Sequence, residues 1–307
     1  MIIEEASLLS ASFFDTVEEV VRSIKSSTEF FGGILVILIS DFYQLPPVKG
    51  DFVFQANCWN AGKFIVKRLT NVSYRQKDDH FRSMLNEIRE GKVSDETSDA
   101  LSSLKSADEY SAVELDEFIK IFSLKKKVDA VNDVCLHRIE SPIIELDAVD
   151  EPQHKGKANL LKQEADSVIP SKISIKVGCR VMLVKNINIS EKLVNGTVGI
   201  VLKYEYPYVH VKVCNLTHLI GPEEWDFEDL GRRKQYPIVL SYALTIHKCQ
   251  GMSLPKLYVD LQHAFAHGQV YVALSRAVSL NSLIVENFDK SKVNAHPKVI
   301  EFYNAIT

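Results

Sequence analysis

Ile34-Leu35-Val36-Ile37-Leu38-Ile39 runs directly into Ser40-Asp41-Phe42-Tyr43-Gln44-Leu45-Pro46-Pro47-Val48, and the fold is read from this junction. The apolar hexamer has strand length and no polar alternation, which suits a parallel strand buried on both faces. The two prolines fix a rigid extended turn. Gln44 offers both a donor and an acceptor, as a side chain sensing a terminal phosphate and a water must. Working outward, Val17, Val20, Val21 and Ile24 stand at i, i+3, i+4 and i+7 and predict an amphipathic helix before the strand. Ile2 and Ile3 read as the end of an earlier strand. Strand, helix, strand is the alternation of a doubly wound α/β sheet. Met1-Ile2-Ile3 meets Glu4-Glu5 as if a buried strand were joined midway, so the chain is expected to begin inside a larger domain.

Further along, Phe81, Met84, Leu85 and Ile88 predict a second amphipathic helix closed by Gly91. Residues 94–116 are polar, helical or linking. Phe118–Leu124 reads as a strand, followed by a helix carrying Val128, Val131 and Cys135. Residues 139–175 are charged and weakly patterned. From Gly178 the texture changes: Val181–Val184, Val198–Tyr204 and Tyr208–Val213 are short strands separated by Asn-Gly and Pro turns, the pattern of a small antiparallel barrel. Ile238–Thr245 and Lys256–Asp260 return to the parallel-sheet style, and Gly268–Ala277 reads as helical. The expected division is a first α/β lobe at 1–92, a linker at 93–116, a second lobe at 117–177 and 238–307, and a β insert at 178–237.

The 307 residues are 46% hydrophobic and 25% charged, enough to bury a core. The 36 basic and 40 acidic side chains leave a net charge of −4. A chain that coats a polyanion by charge alone would be basic, so nucleic-acid contact has to come from a local groove. Lys125-Lys126-Lys127 and Arg232-Arg233-Lys234 are the candidate basic runs, each also readable as a solvated patch. The five cysteines form no C-x-x-C pair and read as reduced thiols of an intracellular protein. No apolar run is long enough to span a membrane.

Four further strings carry chemistry. Glu4-Glu5 ends an apolar strand, the edge where open α/β sheets bind ligands; paired carboxylates there suit a metal-bound water and an attacking water. Tyr74-Arg75-Gln76 holds an arginine able to reach transition-state charge, or merely a surface arginine. Thr245-Ile246-His247-Lys248-Cys249-Gln250-Gly251 follows a strand; Thr245 and Lys248 can hold a phosphate by hydroxyl and point charge, and Gly251 permits close backbone approach. Gly268-Gln269-Val270-Tyr271-Val272-Ala273-Leu274-Ser275-Arg276-Ala277 is a helix whose apolar neighbours would fix the pose of Arg276, or whose dipole simply favours a C-terminal cation.

In this order the strings resemble motifs II to VI of superfamily 1 DNA helicases, and in detail those of the Pif (petite integration frequency) family, related to RecD. IIEEASLL is similar to the family's Walker B segment, SDFYQLPPV to motif III, LTNVSYRQ to motif IV, TIHKCQGMSL to motif V and GQVYVALSRA to motif VI. The resemblance extends over residues 1–285 and includes VMLVKN and LVNGTVG ahead of the insert. It implies two RecA-like P-loop NTPase domains, the first incomplete, with a small SH3-like β-barrel insert in the second. It implies ATP and Mg2+ as cofactors, with Glu4 at the metal and Glu5 as catalytic base. Gln44, Arg75 and Arg276 would meet the γ-phosphate, and Gly251 would belong to the nucleotide site. Pro46, Pro47, Asn186, Thr245, His247 and Lys248 would lie along single-stranded DNA or at duplex junctions, with 5′-to-3′ movement.

Three departures stand out. Glu4 replaces the usual Asp, Ser40 the usual Gly, and no G-x-x-x-x-G-K-[ST] occurs in the sequence, so the triphosphate lacks its main anchor here. The expected reading is an ATP-dependent DNA helicase, present as a stretch lacking Walker A and inactive alone. The alternatives are a catalytically inactive, mobile-element-derived remnant that binds DNA or a partner only, and a split enzyme whose P-loop comes from another chain. Nucleus and mitochondrion are the expected compartments.

Overall fold

The computed structural model describes residues 1–69, 76 and 78–306, and Arg75 falls outside them. The chain forms two compact units, one of residues 1–123 and 245–307 and the other of residues 124–244. These limits differ from the division expected from strand style at residues 92, 178 and 237. Among the described residues, no helix is long and apolar enough to cross a membrane.

Unit 1 opens with β1 (Ile2–Ile3), α1 (Ala11–Lys25) and β2 (Ile37–Leu38). β1 and β2 pair in parallel, Ile2 with Ile37 and Ile3 with Leu38. The hexamer at 34–39 therefore contributes a two-residue strand rather than a doubly buried one. Leu35 is 77% exposed, and Ile37 and Ile39 are also open. A strand is buried on both faces only when sheet neighbours and covering layers surround it, and among the described residues this sheet has two strands.

α1 is capped by Ser10, whose hydroxyl accepts from the Phe13 amide at 3.2 Å. Its buried face is Ala11, Phe14 and Glu18; of the predicted stripe, Val17 and Val21 pack partly buried against the core, while Val20 and Ile24 face solvent. Glu18 can lie inside because it accepts from the Phe31 amide at 3.3 Å and pairs with Arg22 at 2.9 Å. Apolar periodicity cannot count such a satisfied carboxylate. The core beneath α1 is aromatic, with Phe14, Phe31, Phe42 and Phe52 at its centre.

α2 (Asp79–Glu90) buries Phe81, Met84, Leu85 and Ile88 as predicted, starts at the Asp78 cap and stops at Gly91 with φ 73°. α3 (Asp95–Ser102) and α4 (Ala112–Glu117) fill the polar stretch, and β3 (Ile119–Phe122) closes this half of the unit.

Unit 2 holds α5 (Lys125–His137), β4 (Ile144–Asp147), β5 (Val149–Pro152), α6 (Ala158–Val168), β6 (Lys172–Ile175), β7 (Arg180–Leu183), β8 (Val198–Glu205), β9 (Tyr208–Val213), β10 (Leu216–Ile220), β11 (Glu223–Phe227), β12 (Gly231–Gln235) and β13 (Ile238–Leu240). A five-stranded sheet runs β10-β9-β8-β7-β13, antiparallel throughout. Ile238–Leu240 was expected in a parallel sheet. It pairs antiparallel with β7 instead, Ile238 opposite Leu183, because the apolar run breaks after Leu240 and only its second half continues toward unit 1. The weakly patterned stretch at 139–175 contains three strands and α6. Its β5 has one large apolar residue, Val149, and pairs with β12 through charge: Arg233 opposes Asp150.

That pairing takes Arg233 out of the basic run read at 232–234, while Arg232 and Lys234 stay exposed. Arg233 is 0% exposed. Its Nε and Nη2 donate to Asp150 at 2.6 and 2.7 Å, and its Nη1 donates to Asp166 at 2.5 Å and to the Ile169 carbonyl at 2.8 Å. The guanidinium fork matches two carboxylates at once. Burial pushes the Cys179 thiol up to about 11.

β14 (Ala243–Thr245) leads out of unit 2. Unit 1 resumes with β15 (Leu257–Asp260), α7 (Gln269–Leu274), β16 (Leu283–Glu286) and α8 (Pro297–Ala305). β15 lies between β3 and β16 and is parallel to both.

Candidate functional site

The loop after β2 sits in a built seat. Leu45 and Pro47 are buried, Pro46 is half-buried and Val48 points to solvent. The Gln44 amide donates to the Asp41 carbonyl at 3.0 Å and closes a turn. Asp41 receives the Arg89 guanidinium in a bidentate pair, Nε at 2.9 Å and Nη2 at 2.7 Å. Tyr271 Oη donates to the same carboxylate at 3.4 Å. Gly268 packs against the loop backbone: with φ 75°, its missing Cβ would fall 2.6 Å from the Tyr43 and Gln44 carbonyl oxygens. Among the described residues, the Gln44 carboxamide oxygen is buried with no hydrogen-bond partner. A buried acceptor left unmatched costs free energy and marks a place where a donor belongs.

Arg276 follows α7 and is 2% exposed. Its Nε donates to the Val272 carbonyl at 2.8 Å, Nη2 to Ser275 Oγ at 2.7 Å and Nη1 to the Met252 carbonyl at 3.4 Å. Gln76, next to Arg75 in sequence, is also buried. Its Nε2 donates to the carbonyls of Ser275 and Ala277, both at 3.0 Å, and so brackets Arg276. The YRQ string held this signal, but a short polar triplet does not show where its glutamine reaches. Gln44, Gln76, Arg89, Tyr271 and Arg276 line one cleft of about 1510 Å³.

Glu4 and Glu5 are exposed at the end of β1, as the sequence places them. Glu5 takes φ 51° and begins a short turn held by the Ala6 amide on the Ile39 carbonyl at 3.2 Å. Gln250 Nε2 donates to Glu5 Oε2 at 3.0 Å, so the string at 245–251 meets the paired carboxylates through a residue not singled out from the sequence. Among the described residues, no three His, Cys, Asp or Glu side chains converge as a metal site.

The 245–251 loop alternates anchor and display. Ile246 and Cys249 are fully buried, and the Ile246 amide donates to the Phe122 carbonyl at 3.2 Å. Thr245 Oγ1 accepts from the Lys248 amide at 3.3 Å. His247 and Lys248 are left at the surface. Gly251 has φ 79°, and among the described residues no atom lies within 4 Å of its absent Cβ. Its positive φ is a conformation that glycine adopts without strain. Asn186 lies in unit 2, where its Oδ1 accepts from the Asn195 amide at 2.8 Å and steadies the turn before β8.

Comparison with known proteins adds the following. A family model described as PIF1-like helicase matches residues 1–99, and one described as DNA helicase Pif1, 2B domain, matches residues 163–204. The chain is 36% identical over 320 residues to ATP-dependent DNA helicase PIF1 of Xenopus laevis, covering 99% of this chain and 49% of that protein. It spans about half the length of the curated PIF1 relatives it matches. The crystal structure of Pif1 helicase from Candida albicans superposes with a TM-score of 0.83 at 30% identity, covering 100% of this chain and 76% of that one. A Pif1 helicase from Bacteroides in complex with ADP-AlF3 and ssDNA gives 0.79 at 30% identity, covering 99% and 74%.

Proposed function

This chain belongs to the PIF1-like helicase family and has its RecA-like fold, and from that premise we propose that it supplies the nucleotide-sensing and strand-gripping residues of an ATP-dependent DNA helicase moving 5′ to 3′ on single-stranded DNA. The observation that carries this reading is the unmatched carboxamide oxygen of Gln44 on the cleft that Arg276 also lines. An attacking water would donate to that oxygen. Arg276, already fixed by three hydrogen bonds, would meet charge on the terminal phosphate without reorganising, the condition for effective electrostatic catalysis. Arg75, beside the anchored Gln76, is assigned the same task from its motif alone. Glu5 is the base and Glu4 the carboxylate for Mg2+. One or two carboxylates suit that ion, which takes its other ligands from water and the triphosphate. When bound, it would neutralise phosphate charge.

Thr245, His247 and Lys248 form the strand-contacting loop, with the Pro46-Pro47 turn and Asn186 as further contacts. The five-stranded antiparallel sheet of unit 2 is read as the SH3-like insert. Fluorescence anisotropy with a labelled dT oligonucleotide tests the strand-gripping part. Lys248→Ala should weaken binding and flatten the salt dependence by about one phosphate contact; unchanged binding would remove the loop from the DNA path. The 307 residues hold no G-x-x-x-x-G-K-[ST], so we expect no DNA-stimulated ATP turnover from them alone. Turnover that Glu5→Gln abolishes would overturn that expectation.

A further inference from the structure

We infer that Arg89, Tyr271 and Tyr303 are positioning residues for Gln44, acting on it through Asp41, Phe42 and Tyr43; this rests on the reading of Gln44 above. α8 packs directly on the Gln44 loop. The Tyr303 ring stacks on Tyr43 with centroids 4.8 Å apart and planes 11° from parallel. Tyr303 Oη accepts from the Phe42 amide at 3.2 Å. One residue earlier, Phe302 meets Phe42 at 5.3 Å. The Arg89 guanidinium lies over the Tyr43 ring at 4.5 Å and within 5.8 Å of the Tyr303 ring, while its donors grip Asp41. Asp41 in turn accepts from the Tyr43 amide at 3.2 Å and from Tyr271 at 3.4 Å.

Each of the three residues preceding Gln44 is thus held by a group from a distant segment: Asp41 by α2 and α7, Phe42 by α8, Tyr43 by α2 and α8. Gln44 itself receives no side-chain bond among the described residues, and its oxygen is buried and unmatched. Its orientation is therefore set by its neighbours' seats. Arg89 suits this task for two reasons. A guanidinium can grip a carboxylate by two donors and stack on an aromatic face at once, which an ammonium cannot. Burial works against its charge, but the Asp41 carboxylate more than compensates and raises its pKa, so it stays charged at every working pH.

The test is the side-chain amide signal of Gln44 in the 15N-labelled 307-residue chain, assigned by its loss in Gln44→Glu. In the wild type the two amide protons should be dispersed from their free-glutamine positions. Arg89→Lys keeps the charge but loses the fork and the stack. It should collapse that pair toward free-glutamine positions and speed Phe42–Gln44 amide exchange roughly tenfold, while signals from β3 and β15 stay in place. Tyr303→Phe keeps the ring and loses only the acceptor, so it should speed Phe42 exchange alone. A wild-type pair already at free-glutamine positions, or a pair unmoved in both Arg89→Lys and Tyr271→Phe, would overturn the proposal. If Arg89→Lys does not fold, Tyr271→Phe and Tyr303→Phe decide it. Failure of the nucleotide reading would show separately, as a dispersed pair that MgATP does not shift in a chain joined to the phosphate-binding-loop segment of a PIF1 relative, since these 307 residues hold no such loop.

Discussion

Arg233 in unit 2 and Arg89 in unit 1 present the same chemistry in two settings. Arg233 is fully buried and joins β5, β12 and the end of α6. Each of its partners belongs to a regular element or its end, so the network closes on itself. Arg89 and Asp41 keep side-chain exposures of 17% and 19%. Their pair joins a helix to a loop, and that loop carries the Gln44 oxygen, a buried acceptor unmatched among the described residues. An arginine–carboxylate pair therefore stabilises a fold or presents a side chain according to what the acid is attached to.

The comparison can be broken most directly at Arg233. Arg233→Ala removes the shared guanidinium from Asp150, Asp166 and the Ile169 carbonyl, leaving Asp166 only the Ser171 amide at 3.1 Å among the described residues, and should cost about 3–5 kcal/mol in chemical denaturation of unit 2. A loss below about 1 kcal/mol would mean the network is incidental. Gly268→Ala comes next. A Cβ at φ 75° against two carbonyl oxygens should cost about 2–3 kcal/mol, read as a lower midpoint for unit 1. Arg89→Ala should cost less, about 1–2 kcal/mol, since it removes the guanidinium from one carboxylate rather than from two and a carbonyl; a loss equal to that of Arg233→Ala would erase the distinction between the two arginines.

Proton linkage sharpens the same contrast. The hydrogen bond from Arg233 outweighs burial and holds the Asp166 carboxyl below its ordinary 3.8. Its contribution to stability is present above that pH and is lost as pH falls through the lower folded value. Denaturation midpoints taken downward from pH 5 should therefore fall more steeply below about pH 4 in the wild type than in Asp166→Asn. The smallest effect is expected at Arg232, beside Arg233 but exposed near Glu224 and Asp226 at 3.9 and 3.7 Å. Arg232→Ala should change stability by less than about 0.5 kcal/mol, measured by the same denaturation.

The sequence by itself determined whatever is encoded within a few residues. The buried face of α2 follows from Phe81, Met84, Leu85 and Ile88 at helical spacing, and its ends follow from Asp78 and Gly91. The hairpin strands of unit 2 follow from alternation between turn residues. Most site strings lie where strand ends were expected, because a strand and the loop after it are continuous in the chain. Tertiary structure decided what depends on residues far apart. Glu18 reads as a surface residue until the Phe31 amide is beside it. Arg233 reads as one of a basic run until Asp150, 83 residues away, takes it inside. Arg89 and Asp41 are 48 residues apart, and Tyr303 and Phe42 are 261 apart. Local periodicity specifies a face, but a polar group is buried only when its partner arrives, and the partner's position is a property of the folded chain.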